Sequence, residues 1–547
     1  MKMHLASVWE AVADAVGDET ALVHGDREVT WREFDDRASR LAAALVELGI
    51  RPNAKVAIDL YNCSEFFETF LAALKAGGVP VAINYRYREG ELVQLLDDAD
   101  AEVVVAHASL ADRVGAVAPD LPLLRHVVEV HDHPGHHGDD LRPSPYEQLI
   151  ADYRPAERHE RSEDDMYLSY TGGTTGLPKG VMYTMGAVTR QSLRTMPIIC
   201  GVGVEEPTDP AELARRLRDR GERPVVVPAS PLMHSTAFTF ASLPALCGGG
   251  TVVTLENRRF DAPRLLEAVA QHGATVGAIV GDAFGRPIVE ALDEAKASGT
   301  PRDTSTLRVI CSAGVAFSAD TKRRLLDHMP QVTLVDACGS TEGGTYGVST
   351  VRRGDDLSTT RFTAAPGTIV LDPSGAEAPR GETGLIAAVT VTSGYYKQPD
   401  KTGETFRTIG GQRYVVPGDL GRIDGDGTLT LLGRSGSSIN TGGEKVYAEE
   451  VEAVLRSFGD VRDAVVVAVP DERLGQVVGA VIGLTRPARS VDELLAAVRE
   501  RLAGYKVPRH VALDTPPRGP NGKADLARAR QILAEHVAAE AATVPVR

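Results

Sequence analysis

The sequence predicts an α/β protein with a large N-terminal domain and a small C-terminal domain. Three observations lead to this prediction. Helical and β-branched segments alternate along most of the chain, as they do in α/β architectures. The strand-like segments are short, continuously apolar runs, which suit parallel strands buried on both faces. The chain has 547 residues, more than one hydrophobic core usually supports.

The alternation begins close to the N-terminus. Segments 33–48 and 64–76 have the apolar spacing of helices, and segments 55–60 and 79–83 read as strands. Further short β-branched runs continue the series at 102–106, 127–130, 225–227, 251–255, 275–280 and 307–312. We therefore expect an α/β architecture for the large domain.

The pattern changes twice in the second half of the chain. From about Gly367, Gly-rich turns separate short strands, and DGDG at 424–427 is a hairpin-turn signal. After Arg434 the pattern predicts helix 448–457, strands 464–469 and 476–484, helix 491–503 and a basic tail. The predicted domains are therefore residues 1–433 and 434–547, the second with α+β character.

Composition excludes several classes of protein. The chain is 43% hydrophobic and 24% charged, with a net charge of -16, so a nucleic-acid polymer is not expected as a partner. Its five cysteines are scattered and form no CxxC pair, which argues against a disulfide framework or a zinc site. The first 20 residues read as an amphipathic helix rather than a signal peptide, and no apolar run approaches the roughly 20 residues of a membrane span. We expect a soluble, cytoplasmic protein without integral membrane association.

The segment HDHPGHHGDD at 131–140 has two interpretations. Its histidines and aspartates could bind a metal, but Pro134, Gly135 and Gly138 make a surface loop without fixed ligand geometry the favoured interpretation.

The most informative motif is SYTGGTTGLPKG at 169–180. Its glycines let backbone N–H groups approach an anion, its threonines add hydroxyl donors and Lys179 adds positive charge. The alternative is a Ser/Thr/Gly linker, but this segment follows a strand-like run and ends in Pro-Lys-Gly. The Walker pattern is absent. We interpret the segment as a phosphate-binding loop.

Further motifs follow the loop in a recognisable order. They are GSTEG at 339–343, GYY at 394–396 with Thr405-Phe406, PGDLGR at 417–422, GRSGSSINTGGEKVYAEE at 433–450 and PNGK at 520–523. Together with the loop, this series resembles the adenylate-forming (ANL) superfamily of AMP-binding enzymes. The phrases YTGGTTGLPKGVM, VGDAFGRP and INTGGEKV are most similar to bacterial fatty-acyl and steroid side-chain CoA ligases.

The resemblance implies an enzyme that uses ATP, Mg²⁺ and CoA to convert a carboxylic acid to an acyl-adenylate and then to a thioester. It also implies an N-terminal domain of two α/β sheets with a small β-barrel, and a mobile α+β C-terminal domain. Gly436 lies at the hinge, where many relatives have a charged residue. A homodimer is left open. The alternatives are a non-standard acid or acceptor, such as a diazotase-like reaction of nitrite with an arylamine, adenylation without CoA, and a catalytically silent binding protein.

The resemblance also assigns roles to residues. The catalytic candidates are Lys523, bridging the carboxylate and the α-phosphate, Thr341 at the α-phosphate, Glu342 at the metal and His234 beside the acid. The phosphate loop contributes Thr171, Gly172, Gly173, Thr174, Thr175 and Lys179, with Thr175 as a second metal candidate. The remaining nucleotide and CoA candidates are Ala313, Gly314, Asp336, Ala337, Cys338, Gly339, Ser340, Asp419, Arg434, Gly442 and Gly443.

Cys338 is a departure from the family pattern, because many relatives have an aromatic residue there that stacks on adenine. Losing the ring weakens stacking, so an aromatic substitution is predicted to tighten ATP binding unless the space is filled. The expected acid pocket contains His234, Phe238, Val280, Gly281, Asp282, Ala313 and Val315. His234 could instead be an ordinary buried histidine. For Asp282 we favour capping of the helix that starts near Phe284 over substrate contact.

Overall fold

The computed structural model describes most of the chain. The described residues are 2–132, 144–172, 178–203, 209–314, 317–357, 361–434, 438–456, 458, 460–484, 490–518 and 524–543. The chain divides into two compact units. Unit 1 comprises Met1–Tyr85, Leu95–Tyr170 and Gly180–Gly433, and unit 2 comprises Arg86–Gln94, Thr171–Lys179 and Arg434–Arg547. Within the described ranges, no helix is long and apolar enough to cross a membrane.

The helices of the described residues are distributed along the whole chain. They are α1 (Leu5–Val16), α2 (Trp31–Glu47), α3 (Ser64–Lys75), α4 (Glu89–Asp98), α5 (Ala108–Val117), α6 (Tyr146–Asp152), α7 (Met185–Cys200), α8 (Pro210–Asp219), α9 (Leu243–Cys247), α10 (Ala262–His272), α11 (Gly281–Ala297), α12 (Ala319–His328), α13 (Pro399–Thr405), α14 (Ala448–Arg456), α15 (Val491–Arg499) and α16 (Leu526–Thr543). A π-helical segment, Thr236–Ser242, precedes α9.

Unit 1 contains a large sheet, sheet A, whose first half is mainly parallel. Its strands are β1 (Thr20–His24), β2 (Arg27–Thr30), β10 (Val225–Pro228), β11 (Thr251–Thr254), β12 (Val276–Ile279), β13 (Val309–Ala313), β14 (Thr333–Ser340), β15 (Gly344–Val351), β16 (Arg361–Ala364), β17 (Ile369–Leu371), β18 (Thr383–Val389), β20 (Phe406–Ile409), β21 (Gln412–Val415), β22 (Asp419–Ile423) and β23 (Thr428–Arg434). The strand order is β2-β1-β11-β10-β12-β13-β14-β15-β16-β23-β22-β18-β21-β20, with β17 paired to β18.

A second sheet of unit 1, sheet B, carries the strands around the Thr-rich loop. Its strands are β3 (Lys55–Asp59), β4 (Val79–Ala82), β5 (Ala101–His107), β6 (His126–Val130), β7 (Ser144–Pro145), β8 (Met166–Gly172), β9 (Pro178–Thr184) and β19 (Thr392–Tyr395). The order is β19-β9-β8-β4-β3-β5-β6-β7. β19 lies far along the chain from the others and pairs antiparallel with β9, Tyr395 opposite Val181.

Unit 2 has its own sheet, sheet C. Its strands are β24 (Ser438–Thr441), β25 (Glu444–Tyr447), β26 (Val461–Asp471), β27 (Gly475–Leu484) and β28 (His510–Leu513). Lys506 is only 3% exposed, and its Nζ lies 2.7 Å from Oε1 of both Glu91 and Glu450. Arg86 pairs with Glu444 in the same unit. Residues 86–94 are therefore joined to the rest of unit 2 by buried and half-buried ion pairs.

Large aromatic side chains fill part of the core of unit 1. Trp9, Trp31 and Phe34 are at most 1% exposed, and the Phe34 ring centroid lies 5.7 Å from that of Trp9 and 5.8 Å from that of Trp31. Phe70 extends the cluster to Phe238, 4.8 Å away in an edge-on arrangement. These contacts pack α1, α2 and α3 together beneath the π-helical segment.

Most predicted elements are confirmed. Every predicted helix and strand of residues 33–312 has a counterpart, and β10, β12, β13 and β14 pair in parallel. The DGDG turn joins β22 to β23, with the Gly427 N–H donating to Asp424 O at 3.0 Å. The strands expected to form a small barrel are antiparallel and are hydrogen-bonded into sheet A through β15 and β16. The predicted basic tail contains β28 and α16 instead.

Candidate functional site

The Thr-rich loop connects two strands of sheet B. Thr171 and Gly172 end β8, and Lys179, which is 7% exposed, lies at the start of β9. Gly173, Thr174 and Thr175 lie outside the described residues. Tyr170 donates to Asp98 Oδ2 at 2.7 Å, and a Cβ at Gly180 would lie 2.9 Å from Tyr170 Cζ. A glycine at position 180 is therefore required for the two strands to meet behind the loop.

Thr341 and Glu342 lie in the tight turn between β14 and β15. The turn depends on close backbone approach, because a Cβ at Gly339 would lie 2.1 Å from Gly344 O. The Gly343 N–H donates to Ser340 Oγ at 3.1 Å. Glu342 is 8% exposed, so its carboxylate is held in a largely desolvated position.

Two tyrosines from sheet B support this turn. The Tyr183 hydroxyl on β9 donates to Thr341 O. The Tyr395 hydroxyl on β19 donates to Glu342 Oε1 at 3.0 Å. The sequence analysis gave neither tyrosine a role. The GYY motif pointed to Tyr395, but its contact depends on β19 pairing with a strand more than 200 residues earlier, which local sequence does not reveal.

Cys338 is buried beside other predicted nucleotide residues. It is 7% exposed, and its Sγ donates to Gly347 O at 3.6 Å. Burial, with smaller contributions from the Asp336 and Asp419 charges, raises the pKa of Cys338 to about 12. The Asp419 carboxylate, expected at the ribose, therefore lies in the electrostatic neighbourhood of the residue expected beside adenine.

Asp336 is held by a buried cation. Its Oδ2 accepts from Lys322 Nζ at 2.9 Å, and the Lys322 side chain is 0% exposed. Burial raises the pKa of Asp336, although the attraction of Lys322 opposes this shift. Ala337 lies opposite Ala313 in the β13–β14 ladder, which brings these two predicted site residues together. Gly314 follows with φ at 100°.

The expected acid pocket is assembled only in part. His234 lies half-buried just before the π-helical segment, and its carbonyl accepts the Phe238 N–H at 3.1 Å. The Phe238 ring is 4% exposed and packs edge-on against Phe66 at 5.5 Å, so it belongs to the aromatic core. Val280 and Gly281 begin α11, where the Gly281 N–H donates to Ser312 Oγ at 2.9 Å. Val315 lies outside the described residues.

The capping prediction for Asp282 is wrong. Its helix, α11, already begins at Gly281, and no side chain caps it. Instead, Asp282 Oδ1 accepts from the N–H and Oγ of Ser318 at 2.9 and 3.0 Å, and Oδ2 accepts from Arg286 Nε at 3.1 Å. Ser318 is the N-cap of α12. Asp282 thus fixes the start of the next helix rather than its own.

The remaining candidates belong to unit 2. Gly442 and Gly443 form the turn between β24 and β25 with φ of 57° and 89°, the left-handed values of a tight hairpin turn that glycine adopts readily. Arg434 ends β23. Lys523 and Gly436 lie outside the described residues, as do residues 133–140 of the His-rich segment in unit 1.

The described residues contain no group of three or more His, Cys, Asp or Glu side chains placed to hold a metal ion. A metal held largely by phosphate oxygens and water needs fewer protein ligands. Glu342 has carboxylate oxygens of the type that Mg²⁺ prefers, and it fits an ion delivered with a nucleotide.

Comparisons with known proteins agree with this arrangement. The AMP-binding enzyme family profile matches residues 9–396, and the profile of the AMP-binding enzyme C-terminal domain matches residues 450–523. A medium/long-chain fatty acid–CoA and 3-oxocholest-4-en-26-oate–CoA ligase from Mycolicibacterium smegmatis is 37% identical over 552 residues, covering 99% of this chain and 98% of the relative. A 3-oxocholest-4-en-26-oate–CoA ligase from Rhodococcus rhodochrous is 38% identical, with coverage of 96% and 95%.

A solved structure shares the architecture along nearly the whole length. The amide bond synthetase McbA from Marinactinospora thermotolerans matches with a TM-score of 0.79 and 26% identity, covering 96% of this chain and 99% of that one.

Proposed function

The chain belongs to the AMP-binding enzyme family, and from that premise we propose that it is an AMP-forming acid–thiol ligase that joins a carboxylic acid to CoA using ATP. One observation carries the proposal. Two relatives named as CoA ligases are similar to this chain over almost its entire length.

The reaction has two steps. A carboxylate oxygen bonds to the α-phosphorus of ATP as the bond to pyrophosphate breaks, which gives an acyl-adenylate. The CoA sulfur then bonds to the acyl carbon, its thiol proton is lost and AMP leaves. Negative charge develops on the phosphates in the first step, so hydrogen-bond donors and cations must lie beside them.

We assign the donors of the first step to named residues. The Thr-rich loop and Lys179 hold the β- and γ-phosphates, and Thr341 contacts the α-phosphate. Asp419 accepts from the ribose hydroxyls, with Arg434 as a second contact, and Lys523 bridges the carboxylate and the α-phosphate. The Asp419 charge contributes to the raised pKa of Cys338, which supports placing ribose and adenine near these two residues.

Glu342 is the proposed protein ligand of Mg²⁺, and Thr175 a second one. A bound Mg²⁺ supplies positive charge against the phosphate oxygens. The contribution of the chain is a buried carboxylate whose orientation is set by Tyr395. The turn that carries Glu342 is fixed by tight glycine contacts, so the carboxylate needs little rearrangement when nucleotide binds.

For the acid, we propose an apolar carboxylic acid of the medium- or long-chain fatty or steroid side-chain class. The support comes from the relatives, whose names specify these acids. We further propose that residues 434–547 rotate between the two steps, that Gly442 and Gly443 line the path of pantetheine, and that the reaction occurs in the cytoplasm, where ATP and CoA are available.

A pyrophosphate-release assay tests the function. Purified enzyme is offered ATP, Mg²⁺ and a panel of octanoate, palmitate, a steroid acid with its carboxylate at carbon 26, and ferulate, each with and without CoA. With an apolar acid, we expect catalytic turnover to pyrophosphate and acyl-CoA only when ATP and CoA are both present. Stable acyl-adenylate without thioester formation would overturn the assignment of CoA as acceptor, and no response to any acid would overturn the acid class.

The alternatives are not favoured. The diazotase-like reaction and CoA-independent adenylation both leave CoA without a role, whereas both relatives above are named as CoA ligases.

A further inference from the structure

Glu342 is held by one short segment, residues 390–395, which contains β19. The Tyr395 hydroxyl donates to Glu342 Oε1 at 3.0 Å. Three residues earlier, Thr392 Oγ1 donates to the Glu342 carbonyl at 2.5 Å, and Thr390 Oγ1 donates to the same carbonyl at 3.2 Å. Residues 390–395 therefore fix both the backbone and the side chain of Glu342.

The Tyr395 ring is itself held on several sides. It is 5% exposed, and its backbone N–H donates to Thr402 Oγ1 at 2.9 Å. The Phe406 ring packs edge-on against it with centroids 5.7 Å apart at 78°. Phe406 of the Thr405-Phe406 motif therefore packs against Tyr395 of the GYY motif and helps to hold the Tyr395 ring in place. A hydroxyl on so constrained a ring has essentially one position.

The nature of the donor matters for the chemistry. A phenol hydroxyl orients a carboxylate without neutralising it, whereas the ammonium of Lys322 neutralises Asp336 at 2.9 Å. The Tyr395 hydroxyl thus orients a carboxylate of the type that divalent cations bind.

We propose that Tyr395 is a positioning residue for metal binding: its hydroxyl fixes the Glu342 carboxylate so that this group presents an oxygen to the divalent cation carried by ATP. This inference rests on the proposed function only in taking metal-bound ATP as the ligand. It does not depend on the acid or on CoA.

The test compares two tyrosine variants. Tyr395→Phe removes the hydroxyl that contacts Glu342. Tyr167→Phe is the matched control, because Tyr167 is 3% exposed and its hydroxyl has no hydrogen-bond partner among the described residues. Each variant loses one buried hydroxyl and keeps its ring. Mn²⁺ binding to the full-length enzyme with saturating ATP and no acid is measured by electron paramagnetic resonance, and ATP binding is measured separately in EDTA.

We expect Tyr395→Phe to weaken Mn²⁺ binding about three- to tenfold, a fraction of what a hydrogen bond to a charged group can contribute. ATP binding in EDTA should match that of Tyr167→Phe. In a double-mutant cycle, Glu342→Gln should weaken Mn²⁺ binding less in the Tyr395→Phe background than in the wild type, because the two residues act as one unit.

Wild-type Mn²⁺ affinity in Tyr395→Phe, an equal loss in Tyr167→Phe, or additive effects in the cycle would each overturn the inference. If the wild type binds Mn²⁺ with ATP and Tyr395→Phe weakens this binding, the inference holds even where no acid is activated. A failure to activate any acid would count against the proposed function alone.

Discussion

Lys322 and Asp336 form a buried ion pair directly behind the strand that leads into the candidate nucleotide site. Their 2.9 Å contact joins α12 to β14, and the side chains are 0% and 4% exposed. Lys322 Nζ also lies 5.2 Å from the centroid of the Phe317 ring. The pair fixes β14 two residues before Cys338 and five before Thr341.

The first prediction concerns this pair. Lys322→Met keeps most of the side-chain volume but leaves the Asp336 charge buried without its partner, so we expect a loss of about 3–5 kcal/mol of unfolding free energy. Arg323→Met is the control, because Arg323 is 61% exposed and pairs with Asp320 at the surface, where ion pairs contribute little. Urea unfolding of both variants measures the difference, and equal losses would contradict the role of the buried pair.

The pH dependence of the stability of Lys322→Met follows from the direction in which the pKa of Asp336 is shifted. Burial already raises the pKa of Asp336, and losing Lys322 should raise it further. Above the usual carboxyl range, the folded state then holds a proton that the unfolded state has released, so stability falls as pH rises. We expect the deficit of Lys322→Met relative to wild type to shrink between pH 7 and pH 5. A deficit in unfolding free energy that is constant over this range would mean that the Asp336 charge is not its cause.

The second prediction separates the two half-reactions. Lys523 in the PNGK motif is proposed to act only in adenylation, so Lys523→Ala should slow that step by at least about a hundredfold through lost charge stabilisation. Thioester formation from a supplied acyl-adenylate should be nearly unchanged. Single-turnover measurements of each step provide the comparison. Lys506→Ala is unsuitable as a control, because Lys506 is buried and its loss would affect stability. Equal losses in both steps would show that the assigned role is wrong.

The third prediction concerns the metal. Glu342→Gln keeps an acceptor oxygen for the Tyr395 hydroxyl but removes the charge, so the Mg²⁺ concentration for half-maximal adenylation should rise and kcat should fall. Glu404→Gln, on an exposed helix position, is the control. An unchanged Mg²⁺ titration would remove Glu342 from the metal site.

The fourth prediction concerns Cys338. Sequence alone favoured tighter ATP binding on adding a ring, but Cys338 is 7% exposed within the main core. We therefore expect Cys338→Phe to be overpacked, with a loss of about 1–3 kcal/mol of stability and weaker ATP binding. Cys338→Ala, which adds no volume, should bind ATP nearly as the wild type does. Calorimetry of ATP binding and the melting temperatures of both variants test this expectation. Tighter ATP binding by Cys338→Phe at an unchanged melting temperature would show that free space for a ring exists.

Local patterns in the sequence were sufficient for the main framework. Continuous β-branched runs identified the buried strands because both faces of a parallel strand are apolar. The helix α16 escaped notice because its segment relies on alanines and few large apolar residues. Among the residues of α16 whose burial is described, only Ala529 and Leu533 are fully buried, which is too weak a stripe to stand out from a polar tail.

Contacts between distant segments were beyond sequence reasoning. Asp282 was predicted to cap its own helix because it lies near the helix start, yet its partner Ser318 is 36 residues away. Tyr395 depends on pairing between β19 and β9 in the same way. Motif order located the Thr341-Glu342 turn, but only the assembled sheets show which side chains support it.

The ion pairs of Lys506 limit where the chain can be divided into stable fragments. A fragment that starts at Arg434 would carry Lys506 and Glu450 but leave Glu91 behind, and Glu444 would lose Arg86. Chimeras or truncations designed at residue 434 alone would therefore expose a lysine that is normally enclosed by two carboxylates. A transplantable C-terminal module has to include the sequence of residues 86–94, or replace Lys506 and Glu450 together with apolar side chains of similar volume.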